Sequence, residues 1–90
     1  MIYERMRRIY MEENHPEEYQ KMKVSGTLEA YLKEFEDEAF EREYQLKLQL
    51  AKAQGVTEEI KRKDQLRWVA MMNNCQSQAR EMVIAEMVES

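Results

Sequence analysis

Glycine and proline are nearly absent from this chain: two glycines and one proline in 90 residues. Turns draw heavily on both residues, so few turns are available. β-Branched residues are scarce as well, which removes the usual material of strands. A single cysteine, Cys75, excludes an internal disulfide and fits a reduced compartment. A single histidine, His15, has no cysteine or second histidine near it, so it reads as a loop or cap residue rather than a metal ligand. No apolar run approaches the roughly 20 residues that span a bilayer, and no signal-peptide pattern opens the chain. A cytoplasmic protein is expected. Neither Gly26 nor Gly55 has a glycine neighbour, so there is no phosphate-cradling loop. No nucleophile, base and orienting acid fall into a triad, and no cofactor signature is present. The chain is not expected to be an enzyme.

What remains is helix-forming material. Glu, Lys, Gln, Leu, Met and Ala dominate, and 36% of residues are charged. The expectation is an all-α fold in one domain over residues 1–90. A long antiparallel helical hairpin, residues 27–54 and 57–89, carries short helices from residues 1–26 packed on it. The corner is Gln54-Gly55-Val56-Thr57. Gly55 suits the left-handed position just past a helix end, and Thr57 is a favoured N-cap, with Glu58 and Glu59 in the first turn to meet the helix dipole. A corner this short folds the second helix back along the first.

Before the hairpin, Ile2, Met6, Ile9 and Tyr10 recur at helical spacing. Pro16 disfavours helix at His15 and is suited to open a second short helix, with Tyr19 and Met22 on one side. Thr27 is the expected cap of the first hairpin helix. Its main apolar stripe is Leu28, Leu32, Phe35, Ala39, Leu46, Leu50 and Ala53, interrupted at Arg42 and Glu43. A second set, Phe40, Tyr44, Leu48 and Ala51, lies opposite. A helix apolar on two sides is packed on both or has a partner. Either the N-terminal helices cover this second stripe or it is a dimer or partner surface. The returning helix is expected to bury Trp68, Val69, Met72, Cys75, Ala79, Met82, Val83 and Met87. A weaker stripe, Leu66, Ala70, Ile84 and Val88, lies behind it. Cys75 reads as a small buried hydrophobe.

Net charge is −4, unevenly spread. Residues 1–26 are balanced, and the hairpin's first helix carries four basic and seven acidic groups. Glu34, Asp37, Glu38 and Glu41 share a face at i, i+3, i+4 and i+7, most simply a solvated face. A di-iron site would need Glu-x-x-His units facing inward, which are missing. The row could instead meet a basic partner surface. The basic residues cluster as Arg5, Arg7 and Arg8 near the start and Lys61, Arg62, Lys63 and Arg67 after the corner. Together they would form a nucleic-acid contact if folding joined them.

From Ser25 onward the chain resembles the TnpV family of small transposon-encoded proteins. The resemblance rests on Ser25-Gly26-Thr27-Leu28 with Tyr31-Leu32, Gly55-Val56-Thr57-Glu58, Asp64-Gln65-Leu66-Arg67-Trp68-Val69, Met72-Asn73-Asn74 and Ala79-Arg80-Glu81-Met82-Val83. Residues before Ser25 match more loosely, and family members are expected to carry further sequence ahead of them. The resemblance implies a mobile-element protein of a Gram-positive bacterial cytoplasm and brings no catalytic residues. Two functions are therefore expected of such a chain. One is an accessory or inhibitor that binds a recombinase or host defence nuclease, its acidic helix acting as a nucleic-acid mimic. Its partner residues would be Glu34, Asp37, Glu38 and Glu41 with Phe40, Tyr44 and Leu48. The other is an excisionase-like DNA-binding accessory using the basic residues named above. A third reading is a helical assembly protein whose only activity is oligomerisation, and a homodimer is compatible with all three.

Overall fold

The computed structural model describes all residues 1–90. It is all-α and contains no strand. Helix α1 spans Ile2–Asn14 and α2 spans Pro16–Ser25. Helix α3, Leu28–Ala53, is the long one. After the corner come α4, Glu58–Lys63, and α5, Gln65–Val83, which ends in a π-helical turn at Ile84–Val88. The molecule is a rod of 55 × 19 × 17 Å.

The breaks sit where backbone chemistry puts them. Gly26 (φ 78°) and Gly55 (φ 72°) are the only residues with positive φ. Past each glycine the chain closes with the same bond, from the following residue back to the carbonyl five positions earlier. Thr27 N–H reaches Met22 O at 3.0 Å, and Val56 N–H reaches Ala51 O at 2.9 Å. This is a Schellman closure, which satisfies carbonyls the helix would otherwise leave open. Thr57 caps α4 as expected, its hydroxyl accepting from Ile60 N–H at 3.3 Å. Thr27 does not cap α3 with its side chain. Its hydroxyl is 2.8 Å from that of Ser25 instead, because its backbone is committed to closing α2. Pro16 opens α2 as expected.

The returning arm of the hairpin is not one helix. Asp64, at φ −148° and ψ 86°, leaves helical geometry, and its carboxylate accepts from Arg67 N–H at 3.1 Å. An aspartate that can cap a new helix competes with continuation of the old one. The chain therefore re-nucleates at Gln65.

Two clusters make the core. Tyr3, Phe35, Ala39, Leu46, Ala79, Val83 and Val88 join α1, α3 and the end of α5. Met11, Tyr19, Leu28 and Leu32 join α1, α2 and the start of α3. Cys75 is buried, with its Sγ 3.6 Å from Gln54 Oε1. The buried face of α1 is set by Tyr3 and Met11, flanked by Met6 and Tyr10, while Ile2 and Ile9 are exposed. Tyr3 wins the inward position because its ring packs while its hydroxyl reaches a buried carboxylate.

The expected core stripes of the hairpin are only partly buried. Cys75, Ala79 and Val83 are enclosed, but Trp68, Met72 and Met87 are half-buried, and Val69, Met82 and Ala53 are exposed. Ala51, expected on the far face, is buried. The weaker stripe divides: Ile84 and Val88 pack against α1 in the first cluster, whereas Leu66 and Ala70 face solvent. Helix α1 is too short to cover the whole hairpin, so only one end of the rod has three helices.

Candidate functional site

The gap in the α3 stripe at Arg42 and Glu43 is filled by polar chemistry. The hydroxyl of Tyr3 donates to Glu43 Oε1, and Arg80 Nε approaches the same oxygen at 3.5 Å. Burial, together with the Glu43 carboxylate, pushes the Tyr3 phenol well above its ordinary range. About two turns back, Glu36 Oε2 accepts the backbone N–H of Glu4 at 2.9 Å. Glu36 thus serves the open N-terminal turn of α1 from another helix, where negative charge also meets the dipole. Glu36 and Glu43 are only 2% and 5% exposed. Periodicity could not announce them, since both read as solvated charges until α1 is laid beside them.

Arg7 has a structural task at the other side of α1. Its Nη1 donates to the carbonyls of Val88 at 2.8 Å, Ser90 at 3.0 Å and Met87 at 3.3 Å. Its Nε donates to Tyr31 Oη at 3.2 Å, and the guanidinium lies over the rings of Phe35 and Tyr10. Arg8 bridges Glu29 at 3.0 Å and Glu4 at 3.3 Å. Arg5 is exposed. The second basic group, Lys61, Arg62, Lys63 and Arg67, is exposed around the half-buried Trp68, with Lys61 Nζ 4.7 Å from the indole centroid. Lys63 pairs with Glu59 at 2.7 Å.

These two basic groups are not brought together. Arg7 and Arg8 contact Tyr31 and Glu29 near the start of α3. Helix α4 follows its other end, roughly 35 Å away at about 1.5 Å per residue. A joint nucleic-acid surface from both clusters is therefore not formed within one chain.

The acidic row is formed as expected. Glu34, Asp37, Glu38 and Glu41 are all exposed, and none is in an ion pair. Glu41 accepts only from the Gln45 amide, at 3.1 Å. The hairpin adds one acid that the sequence reading missed. Glu86, paired with Arg42 at 3.5 Å, joins Glu34 and Glu38 around a depression of about 390 Å³ floored by Phe35 and Met87. An antiparallel register measured from Gly55 could have found it. No group of three or more His, Cys, Asp and Glu is arranged to hold a metal ion.

The second apolar stripe is largely uncovered. Tyr3 meets Phe40 edge to face with centroids 5.5 Å apart, yet Phe40 is 46% exposed, Tyr44 53% and Leu48 45%. The expectation that the N-terminal helices cover this stripe holds only for one edge of Phe40. Beyond it, Leu48 and Ala51 share a depression of about 350 Å³ with Trp68 and Met72 of α5. On α5, Met72 and Trp68 lie about two and three turns nearer the corner than Arg80. Beyond the end of α1 that part of the hairpin carries no third helix.

No helix is long and apolar enough to cross a membrane. A family model described as transposon-encoded protein TnpV matches residues 2–88. The match takes in α1 and α2 as well as the hairpin, so the resemblance does not begin at Ser25. No curated protein and no solved structure matches the chain.

Proposed function

Because the chain belongs to the TnpV family of transposon-encoded proteins, we propose that it is a non-enzymatic accessory or inhibitor of a nucleic-acid-processing protein. The partner is a recombinase or a host defence nuclease with a basic groove, met in the bacterial cytoplasm. One observation carries this reading: Glu34, Asp37, Glu38 and Glu41 are exposed along one long helix and none is in an ion pair, although Arg7 and Arg42 line the neighbouring depressions. Carboxylates at these spacings stand about 5–6 Å apart and imitate a row of backbone phosphates. Charge of this kind steers association and selects a partner of opposite sign.

The test is capture on the immobilised chain from a bacterium carrying the element, followed by rebinding of the purified partner. The paired reversal Glu34→Lys and Glu38→Lys, in a variant whose helicity is unchanged, should weaken rebinding by about a hundredfold at low salt. Duplex DNA should compete for the same groove. Capture that survives the reversal defeats the acidic-face reading.

A second reading is a DNA-binding accessory of excisionase type. It is supported by Lys61, Arg62, Lys63 and Arg67 around the partly exposed Trp68. It ranks below the first because Arg7 and Arg8 are engaged within the fold. A gel shift whose affinity falls steeply with salt would raise it above the first.

A further inference from the structure

The chain exposes 6376 Å². A compact monomer of its mass, 10.9 kDa, exposes roughly 5,600 Å². The excess is about 800 Å², the area that one partner contributes to a standard protein interface. The radius of gyration says the same: 16.8 Å against about 12 Å for a compact chain of this length. The extra surface has a definite place. It includes the groove between α3 and α5 beyond the end of α1, where Phe40, Tyr44, Leu48, Trp68 and Met72 are left half-covered or exposed.

Charge along this groove is ordered. At the Phe40 end its α3 rim is acidic, with Asp37 and Glu41. Toward the corner its rim is mainly basic, Lys47, Lys52 and Lys61 outnumbering Glu58; Lys47 lies over Tyr44 at 5.4 Å and Lys61 over Trp68 at 4.7 Å. A surface acidic at one end and basic at the other complements itself when turned end for end, as a twofold interface requires. Phe40, Tyr44 and Leu48 are spaced 4 and 4, so they stand on successive turns of one exposed face that a second helix can pack along.

We propose that the chain pairs with a second copy of itself along this seam. The two α3 helices run antiparallel about a twofold axis near the level of Leu46. Tyr44 of each copy then meets Leu48 of the other, Phe40 enters the depression beside Trp68, and Glu41 faces Lys52. The product is a helical bundle in which each copy supplies what its own α1 is too short to provide. Asp37 and Glu41 belong to both the seam and the acidic row, whereas Glu34 and Glu38 stay outside the seam and tell the two readings apart.

Sedimentation velocity on the full chain tests this. The wild type should dimerise with a Kd of about 10 µM. Tyr44→Glu, at a position already exposed in the monomer, should abolish the dimer while helicity is retained. Glu41→Lys and Lys52→Glu, each alone, should weaken pairing by about tenfold at low salt, since each places like charges together twice. A one-to-one mixture of these two variants should restore it, because every cross-seam pair is again of opposite sign. A wild-type chain that is monomeric at about 500 µM overturns the proposal. So does a dimer indifferent to Tyr44→Glu, or one that mixing fails to restore. The Glu34→Lys and Glu38→Lys pair should leave the dimer unchanged, which separates this result from the partner-capture result.

Discussion

Between Leu28 and Glu43, α3 is packed on two sides, by α1 with α2 and by the end of α5. From Tyr44 to Ala53 it has the returning arm alone. The same helix, with similar residue types along it, thus has two environments. At the three-helix end Tyr3, Leu32, Ala39 and Val83 are fully enclosed, and even two glutamates are buried, Glu43 against Tyr3 and Glu36 through one oxygen while its Oε1 has no partner. At the corner end a tryptophan stays half out. Two helices can hide one stripe each from water, and a third layer is needed to close a core. Side-chain type does not decide burial here. The reach of α1 decides it.

The largest test of this contrast is Leu32→Ala at the enclosed end. It should destabilise by about 2–5 kcal/mol, read as a clear loss in chemical denaturation; an unchanged midpoint would mean that this end is as open as the other. Next is Tyr3→Phe, which keeps the ring and deletes the hydroxyl that satisfies Glu43. A cost of about 1–3 kcal/mol is expected for a buried carboxylate deprived of a donor. The sign with pH follows from the raised phenol. The native state holds that proton more tightly than the unfolded chain does. Its stabilisation is therefore complete below the unfolded value near pH 10 and is lost as pH rises beyond it. The wild type should thus lose melting temperature more steeply than Tyr3→Phe above about pH 10, and parallel curves would deny the link.

The smallest effect should come from Trp68→Ala. A fully buried indole would cost about 3–5 kcal/mol on truncation. This one, partly wet and backed by Lys61, should cost about 1 kcal/mol in the monomer. A loss as large as that of Leu32→Ala, measured at a concentration where the chain is monomeric, would erase the contrast between the ends.

These ends also differ in how far the sequence disclosed them. The corner was legible because its determinants are local. Gly55 needs positive φ, Thr57 caps, and neither depends on anything distant. The helices at Pro16 and after Gly26 were legible for the same reason. The inward face of α1 was not, since Ile2 and Ile9 are more apolar than Tyr3, and only Glu43 across the interface makes Tyr3 the better fit. Asp64 carried a readable signal, a cap residue ahead of an apolar run, but unbroken helical periodicity on both sides concealed it. The acidic row lies on the surface as its spacing implies. The interior placement of Glu36 and the engagement of Arg7 depend on segments far apart in the chain, which no local pattern encodes.

That last contact has a consequence for the order of assembly. Arg7 meets the carbonyl of Val88 across 81 positions of sequence, whereas α3 and α5 are joined through a short corner. Contacts between distant positions carry a larger loop-closure cost, and they form slowly unless something holds their ends near each other. The hairpin can supply that, because folding back at Gly55 brings residue 88 alongside the start of α3, where α1 is tethered through α2. On the ribosome α1 emerges before α5, yet the carbonyls that Arg7 binds lie after α5. The contacts of α1 with α3 do not require α5, but those of Arg7 with Val88 cannot form until the hairpin has closed.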